Sequence, residues 1–417
     1  MKLTNLKIPF ILTLFSLSLT SAAYSKTPLL EEANKLRQQG TSGLQTFLHK
    51  YSQELSAPTA EMKTALDQLC QQKDCHASKL FWYTDLEQAK AAAKASGKPI
   101  LSLHLLGELD TDLSCANSRF FRVALYPNQE ISQVLRDKYI LHWQSVRPVP
   151  QVTIDFGDGR KLQRTITGNS IHYILDSAGR PVDAIPGLYG PRAFLQQIQR
   201  AEVAANKFSK LQGISQEAFL REYHSQRLTE METEWTRTLS RLRIPSPPRL
   251  VELSGSTSAP DAEIAAPLAI GKAMVEAPVL TSIRPGRRVE VLDEATWNRI
   301  ASLYHSNARL DQNSIALIQS KNFQAAKDAN GLSNVVRSFE RSMAVDTVRN
   351  EFMLHRQIHQ WFVDGNETQN VNVLNEKVYA ELFLTPSSDP WLGLAPKDAY
   401  SGIDNDGIVN SSSSFRQ

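Results

Sequence analysis

The sequence predicts an α/β domain set between a helical N-terminal segment and a C-terminal all-helical domain. Three patterns predict it. Apolar residues recur at helical spacing over residues 27–77, helix and strand patterns alternate over 78–211, and only helical patterns fill 212–403. Residues 1–23 precede these regions and a polar tail, 404–417, follows them. A chain of 417 residues is long for one ordinary domain, in keeping with this division.

The first 23 residues read as a targeting segment. Lys2 and Lys7 flank the start of an apolar stretch from Ile8 to Leu19, and Ser21-Ala22-Ala23 follows it. A basic start, a short apolar centre and a small-residue exit describe a secretory signal peptide, cleaved after Ala23 or, as second choice, after Ser25. As a helix the apolar stretch rises about 18 Å, short of a bilayer core of roughly 30 Å. The expected location is therefore periplasmic or secreted. No later run is apolar enough to predict a membrane span. With 46 basic and 43 acidic residues, the net charge of +3 gives no basis for nucleic-acid binding.

The N-terminal segment contains Leu29, Leu30, Ala33 and Leu36, then Leu44, Phe47, Leu48 and Tyr51, on two helical faces; Met62, Leu66 and Leu69 mark a third helix over 57–69. An exported chain permits disulfides. Cys70 and Cys75, separated by a polar run suited to a turn, are expected to pair. Two buried thiols, or one of the two bonded to Cys115, are the alternatives. Three cysteines leave at least one unpaired within a monomer.

In the α/β region, Asp85 predicts the N-cap of a helix through Ser96, stopped by Gly97-Lys98-Pro99. Ile100-Leu101-Ser102-Leu103-His104-Leu105-Leu106 is a central strand. Residues 118–126 are helical up to Pro127, Asn128 opens a helix through Lys138, and 139–146 form the next strand. Strands joined by helices predict parallel pairing. A hairpin over 152–162, turning at Gly157-Asp158-Gly159, reads as an insertion. A second hairpin pairs 171–175 with 181–185 across Asp176-Ser177-Ala178-Gly179, and a helix over 191–211 closes the domain. Beyond it, 217–242 is one long amphipathic helix broken by Pro245, Pro247 and Pro248. Residues 255–260 read as a linker, and helices are expected at 262–276, 293–308, 311–319, 332–345, 346–364 and 370–383. The tail from 404 is expected to be disordered.

The helix leading through Ala93-Lys94-Ala95-Ser96-Gly97-Lys98-Pro99-Ile100 into a strand, the loop Leu113-Ser114-Cys115-Ala116-Asn117-Ser118-Arg119-Phe120-Phe121, and the later run Gly168-Asn169-Ser170-Ile171-His172-Tyr173-Ile174-Leu175 together resemble the thioredoxin-like superfamily, its exported members above all. The resemblance covers about residues 80–200. It implies a thioredoxin-like domain with its redox motif at this loop, where Cys115 stands at the first cysteine and Ser118 at the second, a degenerate Cys-x-x-Ser. It also implies an active-site loop at Asn169-Ser170, where family members carry a cis-proline. Ser170 is the preferred equivalent, and a trans peptide is expected there.

Two functional readings follow. In one, Cys115 is a monothiol centre, a thiol-disulfide oxidoreductase-like group acting on protein thiols or on an oxidant. A helix N-terminus, with Arg119 and Arg122 nearby, would activate it, and Ser118 would donate to the thiolate. In the other, Cys115 is a small hydrophobe packed beneath the loop, the domain is a redox-silent scaffold, and the helical domain binds a protein partner.

Other residues carry weaker signals. His355 and His359 share a helical face with Glu351 a turn back, a spacing that can hold a metal. The metalloprotease pattern needs a glutamate where Arg356 stands, and a third ligand, His305 being one option, has no position fixed by the pattern. They are read as ordinary histidines; no metal and no cofactor are assigned. His104 and His142, within strands, are read as hydrogen-bonded core residues, and His76, directly after Cys75, is not read as a catalyst. Phe81-Trp82-Tyr83 is expected to pack the sheet against the N-terminal helices. Asp389-Pro390-Trp391-Leu392 is expected to dock through Trp391 or to contact a partner.

Overall fold

The computed structural model describes residues 28–166, 168–244, 292–322, 327–365 and 368–392. The expected signal peptide, the linker expected over 255–260, the helix expected at 262–276 and the expected disordered tail lie outside them. The described chain is mixed α/β, mostly helical, with one small mixed sheet.

Helices α1 (Pro28–Arg37), α2 (Thr41–Lys50) and α3 (Ala60–Cys70) form the N-terminal segment, and the single turn α4 (Cys75–Ser78) follows. Thr59 caps α3 by accepting from the Met62 amide at 3.2 Å, so the helix starts after Pro58 rather than at residue 57. Ala33, Leu44, Phe47, Met62, Leu66 and Leu69 bury one face of each helix in a satellite core. The Cys70–Cys75 disulfide lies inside that core, with Cα atoms 6.2 Å apart. Phe81 belongs to the satellite and Trp82 to the main core, so the aromatic run joins the two as expected.

In α5 (Leu86–Ser96), Asp85 accepts from the Gln88 amide at 2.9 Å and Gly97 ends the helix at φ 72°. Strands β1 (Ile100–Leu106), β2 (Ile140–Arg147), β5 (Ser170–Leu175) and β6 (Pro181–Pro186) form a sheet in the order β2-β1-β5-β6. β1 runs parallel to β2; β5 is antiparallel to both β1 and β6. Every residue of β1, β5 and β6 is buried, so Ser102, His104, His172 and Asp183 are interior groups. The hairpin of β3 (Gln151–Asp155) and β4 (Lys161–Thr165) forms its own two-stranded sheet.

Between β1 and β2 lie the short α6 (Ala116–Phe120), a π turn over Phe121–Leu125, and α7 (Gln129–Lys138), which Asn128 caps. Helix α8 (Pro191–Phe208) packs on β5 and β6, and α9 (Ile214–Arg241) on α8. The remaining helices are α10 (Glu294–Leu303), α11 (Gln312–Lys321), α12 (Ala329–Arg349), α13 (Arg356–Asp364) and α14 (Val371–Lys377). A break expected near residue 345 is absent. A π segment, Asn350–His355, carries α12 straight into α13. Trp391 is half exposed, and Leu392 docks in its place.

One cluster of buried residues runs from Leu80 in the α/β region to Leu392. The two regions meet so closely that a Cβ on Gly190 would lie 2.4 Å from the Asn307 carbonyl oxygen. The Gly190 amide donates to Thr347 Oγ1 at 2.8 Å, and Asn350 Nδ2 donates to the Leu188 carbonyl at 2.7 Å. No helix among the described residues is long and apolar enough to cross a membrane.

Candidate functional site

The loop after β1 turns at Gly107, with φ 76°, and returns so that the Cys115 amide donates to the Leu106 carbonyl at 3.2 Å. This sets Cys115 at the N-cap of α6, the expected place. Its environment is that of the second reading, a residue packed beneath the loop. The residue is fully buried, and burial pushes the thiol up, with Ser118 hydrogen bonds and the Arg119 charge opposing that only in part. The first reading, an accessible and activated thiol, does not fit this burial. The arginines serve the loop. Arg119 Nε donates to the Ser114 carbonyl at 3.1 Å, and Arg122 Nη1 to the Thr111 carbonyl at 2.8 Å. Ser118 Oγ lies 2.5 Å from Ser114 Oγ and 3.1 Å from the Cys115 carbonyl oxygen.

The C-terminal segment covers this region. Tyr379, buried beside Cys115, donates to the Asn169 carbonyl at 3.2 Å. Asn169 Nδ2 donates to Thr385 Oγ1 at 3.0 Å, and Arg147 Nη2 to the Thr385 carbonyl at 2.7 Å. Asn169 and Ser170 are thus buried beneath residues far along the chain, and the described residues contain no cis peptide. Cys70 and Cys75 are bonded to each other and leave Cys115 as the free cysteine.

A second polar constellation lies where β6, α9 and the α12–α13 rod meet. Asp183 projects from a strand that is otherwise apolar. The buried stripe of α9 contributes His224 and Arg227 between Leu220, Met231 and Trp235. The π segment contributes Glu351 and His355, and α13 contributes His359. Such segments insert an extra residue per turn and concentrate at functional sites.

The groups interlock. Tyr223 donates to Asp183 Oδ2 at 2.6 Å, and His355 Nε2 lies 3.4 Å from Asp183 Oδ1. His355 Nδ1 sits 3.1 Å from Glu351 Oε2, which also accepts from Tyr189 at 3.1 Å and from Gln197 at 2.9 Å. Arg227 pairs with Glu351 at 3.2 Å and with Glu230 at the solvent edge. His224 Nδ1 and His359 Nδ1 face each other at 2.7 Å, and the His224 ring stacks on Phe362 at 4.0 Å between centroids.

Burial favours the neutral form of every one of these groups, and the pairings decide which stay charged. His224 is pushed down to about 4, and His359 well down, both by burial. For His355 burial is outweighed by hydrogen bonds to Asp183 and Glu351, which raise it. Against burial, the His355 hydrogen bond holds Asp183 below the usual carboxylate range, and the same partner with Arg227 brings Glu351 to about 2.

The sequence matches no family model, no curated protein and no solved structure.

Of the histidines singled out by sequence, His355 and His359 do converge. His305 lies apart, lining a cavity with Arg337 and Arg341. His104 and His142 share Ser102, at 3.2 and 2.7 Å, as interior hydrogen-bonded residues, and His76 is half-buried away from the cluster. The third imidazole is His224, and the carboxylate beside it is Asp183. Sequence reasoning missed both. Their signals were a histidine on the apolar stripe of an amphipathic helix and an aspartate in an apolar strand.

Proposed function

We propose that this is an exported protein whose thioredoxin-like domain is a redox-silent scaffold and whose helical region contacts a protein partner. The observation that carries the reading is the burial of Cys115. A thiol nucleophile acts as thiolate and needs access. Here burial raises the thiol, Tyr379 of the C-terminal segment packs near it on the Asn169 loop, and the other two cysteines are bonded to each other. The thioredoxin-like assignment is supported by the sheet: a parallel unit of β1 and β2, then the antiparallel hairpin of β5 and β6, with Cys115 at the first helix after β1.

For the partner, the supporting feature is a groove of about 820 Å³ between the helix following Cys115 and helices α11 and α12. Phe120, Val123, Ile318, Val335, Phe339 and Met343 line it, which suits an apolar chain segment.

Alkylation of the native protein tests the redox-silent part. Cys115 is expected to label only as the protein unfolds; rapid labelling near neutral pH, or a mixed disulfide trapped from cells, returns the function to the thiol. The observation favouring that second reading is the thiol's seat at a helix N-terminus with Ser118 hydrogen-bonded to it. A photo-crosslinker at Val335 tests the partner. A covalent product lost on Phe339→Glu is expected, and its persistence in that variant excludes the groove.

A further inference from the structure

We propose that Asp183, His224 and His359 form a binding site for a divalent first-row transition metal, zinc being the natural occupant for this ligand set. The inference is independent of the scaffold reading.

The geometry is that of a converging ligand set. One oxygen of Asp183 and one nitrogen from each imidazole lie within 4.8 Å of one another, and all three residues are buried. They come from β6, α9 and α13, three elements that meet at this point. Zinc held by bonds of about 2.0–2.1 Å in a tetrahedron needs ligand atoms roughly 3.3 Å apart. The His224–His359 contact of 2.7 Å has to open slightly and the longest separation to close, changes within reach of side-chain rotation.

The ring chemistry agrees. His224 Nε2 is 3.1 Å from the Val182 carbonyl oxygen, which can only accept, so Nε2 carries the proton. His224 Nδ1 then presents a lone pair toward His359 and Asp183. A ligating imidazole anchored through its other nitrogen to a main-chain carbonyl is the usual outer-layer arrangement of metal sites. His359 Nε2 is buried and has no hydrogen-bond partner among the described residues.

Asp183 brings the ligand set its one carboxylate. His355, which bridges Asp183 and Glu351, orients the Asp183 carboxylate as an outer partner.

The test uses the full chain expressed in zinc-depleted medium supplied with cobalt, since a buried site fills as the protein folds. The expected result is near-stoichiometric cobalt in the purified protein with the intense visible absorption of four-coordinate Co²⁺. Both should be lost in His224→Gln and His359→Gln, and kept in a His76→Gln/His305→Gln control. Two results overturn the proposal. One is a folded wild-type protein without metal, which leaves a purely hydrogen-bonded cluster. The other is metal retained by folded His224→Gln and His359→Gln. Should those variants not fold, the wild-type metal content and ligand-field spectrum decide alone.

Discussion

Tyr379 donates its phenolic proton to the Asn169 main-chain oxygen at 3.2 Å, fixing the C-terminal segment over the loop that faces Cys115. Tyr379 also lies near Cys115, so the surroundings of the thiol include residues remote in sequence. Phe383, fully buried beside Tyr379 at 5.1 Å between centroids, anchors the same segment.

Phe383→Ala is expected to loosen this cover. A buried phenylalanine truncated to alanine costs about 3–5 kcal/mol. If even about 1.4 kcal/mol of that falls on local opening, Cys115 alkylates about tenfold faster. Labelling kinetics under native conditions measure it. An unchanged rate, with global stability lowered, would show that the segment does not gate the thiol.

Asp67 gives a pH dependence of known sign. Burial raises its carboxyl to about 6, although the Cys75 amide donates to it at 2.9 Å and Lys73 lies 3.4 Å away. The folded value exceeds the unfolded one, so the stabilising contribution is complete below the unfolded value and is lost as pH rises through about 6. Native stability should fall by up to about 3 kcal/mol between roughly pH 4 and pH 6 from this group. Asp67→Asn should remove that slope. Urea midpoints of both proteins across this range provide the comparison, and parallel curves would refute it.

Gly190 and Gly97 separate steric from backbone demands. Gly190→Ala places a Cβ 2.4 Å from Asn307 oxygen and 2.6 Å from Ala308 Cα, both main-chain atoms. Overpacking of this kind costs about 1–3 kcal/mol. Gly97 faces open space at φ 72°, so Gly97→Ala meets only the left-handed backbone penalty, about 1–2 kcal/mol. Gly190→Ala should also loosen the joint between the α/β and helical regions, seen as faster proteolysis of α10 in that variant only.

Glu351 holds two cations in the interior. Glu351→Gln keeps the shape but removes the charge facing Arg227 and His355, and breaking such a pair costs about 3–5 kcal/mol. Adding Arg227→Met to that variant should recover part of the loss, because removing both partners avoids the uncompensated charge. Denaturation midpoints for the four proteins of the cycle show whether coupling exists; strict additivity would deny it.

Local signals made much of the fold legible. Asp85 and Gly97 bracket α5, Asn128 opens α7, and the glycine turns set both hairpins, because caps and turns are chosen by neighbours in sequence. The uninterrupted α12–α13 rod was not legible. No proline or glycine lies at the junction, and the irregularity is a π segment that leaves no compositional mark. The candidate site was half visible. His355 and His359 share one helix face, but their partners Asp183 and His224 arrive through tertiary packing alone. Cys115 illustrates the same limit: its N-cap position follows from the loop, while its burial follows from tertiary packing in the main core.

Strand β1 is paired along both edges and covered on both faces, every residue buried. Its amide protons therefore have no route to deuterated solvent through fraying or a local breath. They should be the last in the molecule to exchange, at the rate of whole-chain opening. The most apolar strand is thus the molecule's clock, recording how long a single native copy endures.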